Sequence, residues 1–114
     1  MSRSLSTSEC KIDFNTSPAW SRTIRLLIGA ACQQCGFTSR EAGQVAMAVD
    51  EALSNIFRHG YQESTKGRIR LSYKTKLGPE PSIAIELEDD AIQIDPKLIQ
   101  SRDLDDVKPG GLGV

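Results

Sequence analysis

The chain has 114 residues, 39% hydrophobic and 25% charged, with 14 Lys and Arg against 15 Asp and Glu and a formal net charge of -1. That length suits one domain with one core, and the composition is that of an ordinary soluble globular protein. The charge balance excludes the basic surface that non-specific nucleic-acid binding needs, and no apolar run approaches the ~18 residues of a membrane span. Residues 1–7 lack the apolar centre of a secretory signal and read as a disordered lead-in. The domain is expected over 8–114, in the cytoplasm.

Cys10-Lys11-Ile12-Asp13-Phe14 alternates and predicts a short first strand. Ser17-Pro18 then opens a helix, since proline is tolerated in a first turn. Ile24, Leu27, Ile28, Ala31 and Cys35 form its apolar stripe, and Gly36 stops it. Cys32-Gln33-Gln34-Cys35 has C-x-x-C spacing. It falls at a helix end, however, and redox motifs use the N-terminal dipole to lower a thiol pKa. A structural zinc site wants about four ligands, and only Cys10 and His59 remain to supplement the pair. An odd count of three cysteines also argues against a disulfide framework. The cysteines are expected to be small buried residues.

Thr38-Ser39-Arg40-Glu41 has the form of a capping box, and a second helix follows to about His59. Ala42, Val45, Ala46, Val49, Leu53, Ile56 and Phe57 make its apolar stripe, and Gly60 ends it. Glu51, Asn55 and Arg58 lie on the opposite side. A polar helix face is most often simply solvated. Here, though, an acid and an amide stand four residues apart, as neighbours on one face. The acid can accept a proton or polarise a nucleophile, and the amide oxygen can face a hard cation such as magnesium. Arg58 is open to a phosphate contact or to solvent, and His59 to a phosphate contact or to packing at the helix end.

Arg68–Lys74 and Ile83–Glu88 each alternate, and Gly78-Pro79-Glu80-Pro81 is a turn between them. An antiparallel pair is expected over about 68–76 and 82–89. Asp95-Pro96 then predicts a helical turn to about Gln100, and residues 101–109 read as a loop. Gly110, Gly111 and Gly113 close the chain as a cluster of the kind that lets backbone N–H groups approach a phosphate. These elements assemble into an α+β fold, a two-layer sandwich of helices on a mostly antiparallel sheet.

The order of a helix-borne Glu-x-x-x-Asn, a strand-terminal Asp and a Gly-x-Gly cluster resembles the GHKL ATPases, which share the Bergerat ATP-binding fold and include the histidine-kinase-like ATPase domains. Within that group the chain looks most like the small bacterial anti-sigma factor serine/threonine kinases. The resemblance rests on Asp50-Glu51-Ala52-Leu53-Ser54-Asn55 with His59-Gly60-Tyr61, on Asp89-Asp90-Ala91-Ile92-Gln93-Ile94-Asp95-Pro96, and on Gly110-Gly111-Leu112-Gly113. It implies that Asn55 binds the magnesium bridging the ATP phosphates. Glu51 would be the general base or would orient the attacking hydroxyl. Asp89 would accept the adenine amino group in a charge-assisted hydrogen bond. The backbone at Ala91, Gly110, Gly111 and Gly113 would contact the nucleotide, and residues 97–109 would form the ATP lid. The implied cofactors are ATP and Mg2+. The implied partners are an anti-anti-sigma STAS-domain protein, whose serine is phosphorylated, and a sigma factor released in the same partner switch. A homodimer is also implied.

Two departures from that pattern matter. Ala91 stands where the family has a glycine, with Ile94 where it has an aromatic. Glycine there permits close approach, so the added methyl either weakens nucleotide binding or is absorbed by a small shift. The chain also ends at Val114, directly after the glycine cluster, so the fold is expected to be C-terminally incomplete, with an open sheet edge. A second reading therefore stays open: a non-catalytic regulatory binding module on the same fold, with weak or no ATP turnover. A detached histidine-kinase catalytic domain is disfavoured, because no histidine-bearing dimerisation helix precedes Glu51.

Overall fold

Among the described residues are three sequential strands, a helical hairpin inserted after the first of them, and a short fourth strand. The computed structural model describes residues 7–60, 66–89 and 97–100, the side chains of 59, 60, 97 and 98 excepted. In chain order the elements are β1 (Thr7–Asn15), α1 (Trp20–Cys35), α2 (Ser39–Asn55), a π-helical turn (Ile56–Gly60), β2 (Arg68–Lys76), β3 (Ser82–Asp89) and β4 (Lys97–Gln100). The sheet runs β1-β2-β3-β4, antiparallel throughout. Both helices contribute to the same core as the sheet, which gives the expected α+β sandwich.

The pleat explains the layering. Ile12 faces Leu71, Leu71 faces Leu87, and Ile83 faces Ile99 across the ladders. These alternate residues point to one side, where Phe14, Ile69, Leu71, Ile83, Ile85 and Leu87 are buried. Their intervening neighbours, including Lys11, Asp13, Arg68, Arg70 and Glu86, are exposed. The helices supply the other half of the core. Ile24, Ile28, Ala31, Cys32 and Cys35 of α1 are buried, as are Ala42, Val45, Ala46, Val49 and Leu53 of α2. Each fully buried aliphatic side chain here contributes about 1.5–3 kcal/mol relative to exposure.

Local chemistry fixes the helix ends. Thr38 accepts from the Glu41 N–H at 3.1 Å while Glu41 accepts from the Thr38 N–H at 2.9 Å, the reciprocal capping box. Gly36 terminates α1 at φ +122°, a conformation that favours glycine, and the Phe37 N–H closes back on the Cys32 carbonyl at 3.0 Å. The Gln33 amide donates to the Ser39 hydroxyl at 2.8 Å, joining the two helix ends across this short link. At the other end of the hairpin, Ser17-Pro18-Ala19 forms a turn ahead of the helix, which begins at Trp20 rather than at Pro18. The Trp20 indole N–H donates to Asn15 at 2.9 Å, tying that start to the end of β1. Buried Thr16 clamps the entry to β2, exchanging hydrogen bonds of 3.1 Å with the Gly67 backbone.

Several expected boundaries change. Thr7 pairs with Lys76 and so belongs to the sheet rather than to the lead-in. Residues 97–100, the start of the expected lid segment, are a strand paired with β3 and not a helical turn. Pro96 suggested a helix start, but four residues cannot display a period. Pairing of Ile99 with Ile83, which buries both, decides the conformation. The second helix is α-helical only to Asn55 and continues as a π turn.

The cysteines behave as packing residues. Cys10 is half-buried and Cys32 and Cys35 are buried, all three free. Burial pushes the Cys32 thiol up to about 12, with Cys35 adding to the effect. The Cys35 thiol is also raised, chiefly by burial. Among the described residues no cluster of His, Cys, Asp or Glu could hold a metal.

Candidate functional site

The core positions the site. Val45, Ala46, Val49, Leu53, Ile56 and Phe57 turn inward, which leaves the opposite side of the helix to solvent. Glu51, Asn55 and Arg58 are all exposed. Their spacing of i, i+4 and i+7 places a carboxylate, an amide and a guanidinium in one stripe. Asn55 is the last α-helical residue. Its Oδ1 accepts from Arg58 Nη2 at 3.4 Å. Next to Glu51, Asp50 forms an ion pair with Arg25 at 3.6 Å, which links α2 to α1 at the level of the stripe.

Asp89 occupies a different environment. It ends β3 and continues the inward row of Ile83, Ile85 and Leu87. It lies across from Ile69, which itself faces Phe14. The carboxylate is thus in an otherwise apolar row and is only 8% exposed. A charge so placed must be hydrogen-bonded to be tolerated. Leu87 belongs to the same core cluster as Leu53, Ile56 and Phe57. The acid and the helical stripe are therefore carried on elements that share one core.

The residues present fit a metal-bound nucleotide. A neutral amide oxygen with a carboxylate one turn earlier is a suitable hard-oxygen donor set, and the Asn55 oxygen already faces a cation, the Arg58 guanidinium. A buried carboxylate fits recognition of an exocyclic amino group. Ala91, Gly110, Gly111 and Gly113 lie outside the described residues, as do residues 101–109 of the expected lid and the side chain of His59. The contact of Arg58 with Asn55 and the Arg25–Asp50 ion pair were not anticipated. The i, i+3 spacing of Asn55 and Arg58 was the available signal for the first. The second depends on how the helices pair, which no local spacing reveals. A groove of about 350 Å³ lies on the solvent side of the sheet, bordered by Lys11, Asp13, Arg70, Ser72, Glu86 and Glu88, and none of the expected site residues lines it.

Comparison with known proteins identifies the family. Residues 14–114 match the family described as the histidine kinase-like ATPase domain. Over 103 residues the chain is 25% identical to the serine-protein kinase RsbW of Bacillus subtilis (strain 168), a match covering 85% of this chain and 64% of that protein. The chain thus spans slightly under two thirds of that relative's length. With a helix-and-sheet core of the right order and a family match over most of its length, the chain belongs to the histidine kinase-like ATPase domain family.

Proposed function

We propose that this chain is the ATP-binding core of an anti-sigma factor with serine/threonine protein kinase activity toward an anti-anti-sigma STAS-domain protein, acting by partner switching in the cytoplasm. The observation that carries the reading is the exposed Glu51–Asn55 pair at the end of α2 in a domain of this family. Similarity to a serine-protein kinase supports the choice of reaction. The three free thiols suit a reducing compartment.

In this reading Asp89 accepts a hydrogen bond from the adenine amino group, and its apolar surroundings raise the value of that bond. Asn55 offers its amide oxygen to magnesium. Glu51 takes the proton from the partner's serine hydroxyl, a role that requires the exposure it has. ATP, when bound, supplies the phosphoryl group, and magnesium offsets the charge of its phosphates. The glycine cluster at 110–113 contributes backbone contacts to the phosphates.

Calorimetric ATP titration with and without magnesium, followed by phosphate transfer to STAS-domain proteins from neighbouring genes, tests the proposal. Asp89→Asn should weaken ATP binding by roughly tenfold or more, since a charge-assisted bond is worth about 1.5–3 kcal/mol. Glu51→Gln should bind ATP normally and lose transfer, as expected of a group that acts in the transition state. Transfer at the wild-type rate by Glu51→Gln overturns its catalytic role. Ala91 favours the second reading, a non-catalytic regulatory module. Partner binding without any transfer by the wild-type chain would establish that reading instead.

A further inference from the structure

The chemistry of the α2 stripe contains a conflict. Asn55 Oδ1 is the oxygen that the proposed reading assigns to magnesium, yet the Arg58 guanidinium donates to it at 3.4 Å. A guanidinium does not lose its charge at any ordinary pH. A permanent cation therefore stands at the site intended for another cation.

The backbone keeps it there. Immediately after Asn55 the helix widens into a π turn over Ile56–Gly60. Such turns are rare and frequently mark functional positions. Ile56 and Phe57, 2% and 4% exposed, anchor this turn in the core. Arg58 then emerges on the solvent side beside Asn55. The carboxylate of the stripe does not compete for it, because Glu51 lies seven residues earlier, about 10 Å along the axis. Among the described residues, the amide is the partner that Arg58 reaches.

We infer that Arg58 guards the Asn55 oxygen against divalent cations until a polyphosphate is present. This rests on the reading of Asn55 as a magnesium ligand. Alone, a metal ion must displace the guanidinium and then endure its repulsion. A nucleotide reverses the balance, because its phosphates attract both cations and compensate both charges. Metal entry thus becomes conditional on nucleotide, so free metal does not occupy the site by itself.

The test uses manganese(II) as an EPR-visible stand-in for magnesium, titrated into the full 114-residue chain without nucleotide. Wild type should bind it weakly. Arg58→Ala should bind it roughly fivefold more tightly, the scale of a unit-charge interaction at about 4 Å in water. Arg58→Lys, which keeps the charge, should stay near wild type. Adding Asn55→Ala to Arg58→Ala should remove the gain. Circular dichroism checks that each variant is folded. An unchanged manganese affinity in Arg58→Ala, or a gain that survives loss of Asn55, overturns the guard. Calorimetry on Asn55→Ala alone separates this failure from failure of the underlying reading. If that variant loses the magnesium-dependent tightening of ATP binding, the metal assignment stands whatever Arg58 does. If it keeps the tightening, the assignment falls and the guard falls with it.

Discussion

A thiol surrounded by apolar atoms resists ionisation because the thiolate would give up its hydration. Cys32 is in that position, with no exposed surface, and its pKa rises from 9.0 to about 12. Cys35 and Tyr73 shift in the same direction, each mainly through burial. An unfolded chain ionises these groups first. For Cys32 that contribution to stability is complete below about pH 9 and is lost as the pH rises toward 12, and Cys35 and Tyr73 act in the same direction. For Cys32 alone the loss by pH 10 is about 1.4 kcal/mol. The urea midpoint of the wild type should accordingly fall between pH 8 and pH 10 by more than that of Cys32→Ala. The variant begins less stable, because a shorter side chain leaves a cavity, so the comparison is of slopes. Equal slopes would show that this thiol is not held protonated by the fold. The same burial argues against a nucleophilic or redox role, which needs an accessible thiolate.

Elements were legible where a period ran long enough to be counted. The stripes of α1 and α2, the Thr38–Glu41 capping box and the paired strands β2 and β3 follow from spacing and turn chemistry. So does the exposure of Glu51 and Asn55, because the intervening stripe must face the core. β4 was misread because four residues carry no period and their conformation depends on a distant strand. The π turn was invisible because Ile56 and Phe57 continue the apolar stripe whether the helix is α or π. The Arg58 contact with Asn55 depends on that turn and on a side-chain rotamer. Glycines give a test at this scale. Gly36 stops α1 at φ +122°, and an added Cβ would stand 3.3 Å from Pro81 Cγ. Gly29, inside α1, has nothing within 4 Å of such a Cβ. Gly36→Ala should therefore cost about 1–2 kcal/mol, whereas Gly29→Ala should gain about 0.5–1 kcal/mol. Denaturant unfolding of the two variants should move the midpoint in opposite directions. Movement in the same direction would mean that Gly36 is not a conformational stop.

At the scale of the molecule, the sheet separates two surfaces. One face carries the helices, the α2 stripe and the inward row that ends at Asp89; the other is charged and open to solvent. Among the described residues β1 is an edge strand, with β2 as its strand neighbour. An edge of nine residues is a template for pairing with a second copy, which is a route to the homodimer that the family resemblance implies. Its charges decide which pairing is allowed. Glu9, Lys11 and Asp13 alternate in sign along the exposed side of the strand. Two antiparallel copies centred on Lys11 would oppose Lys11 to itself and Glu9 to Asp13, like against like. Centred on Ile12, Lys11 meets Asp13 twice. Centred on Cys10, Lys11 meets Glu9 twice. Each cross-strand pair is worth about 0.2–1 kcal/mol, so the last two registers are favoured, and both depend on Lys11. Asp13 already pairs with Arg68 at 2.8 Å, which favours the register centred on Cys10 and leaves that bridge intact. Lys11→Glu replaces the alternation with three acids in a row and turns both favourable registers repulsive. Light scattering should then find a dimer for the wild type and a monomer for Lys11→Glu. ATP binding should be unchanged, because Lys11 lies on the face of the sheet opposite Asp89. Persistence of the dimer in Lys11→Glu would move the interface away from β1.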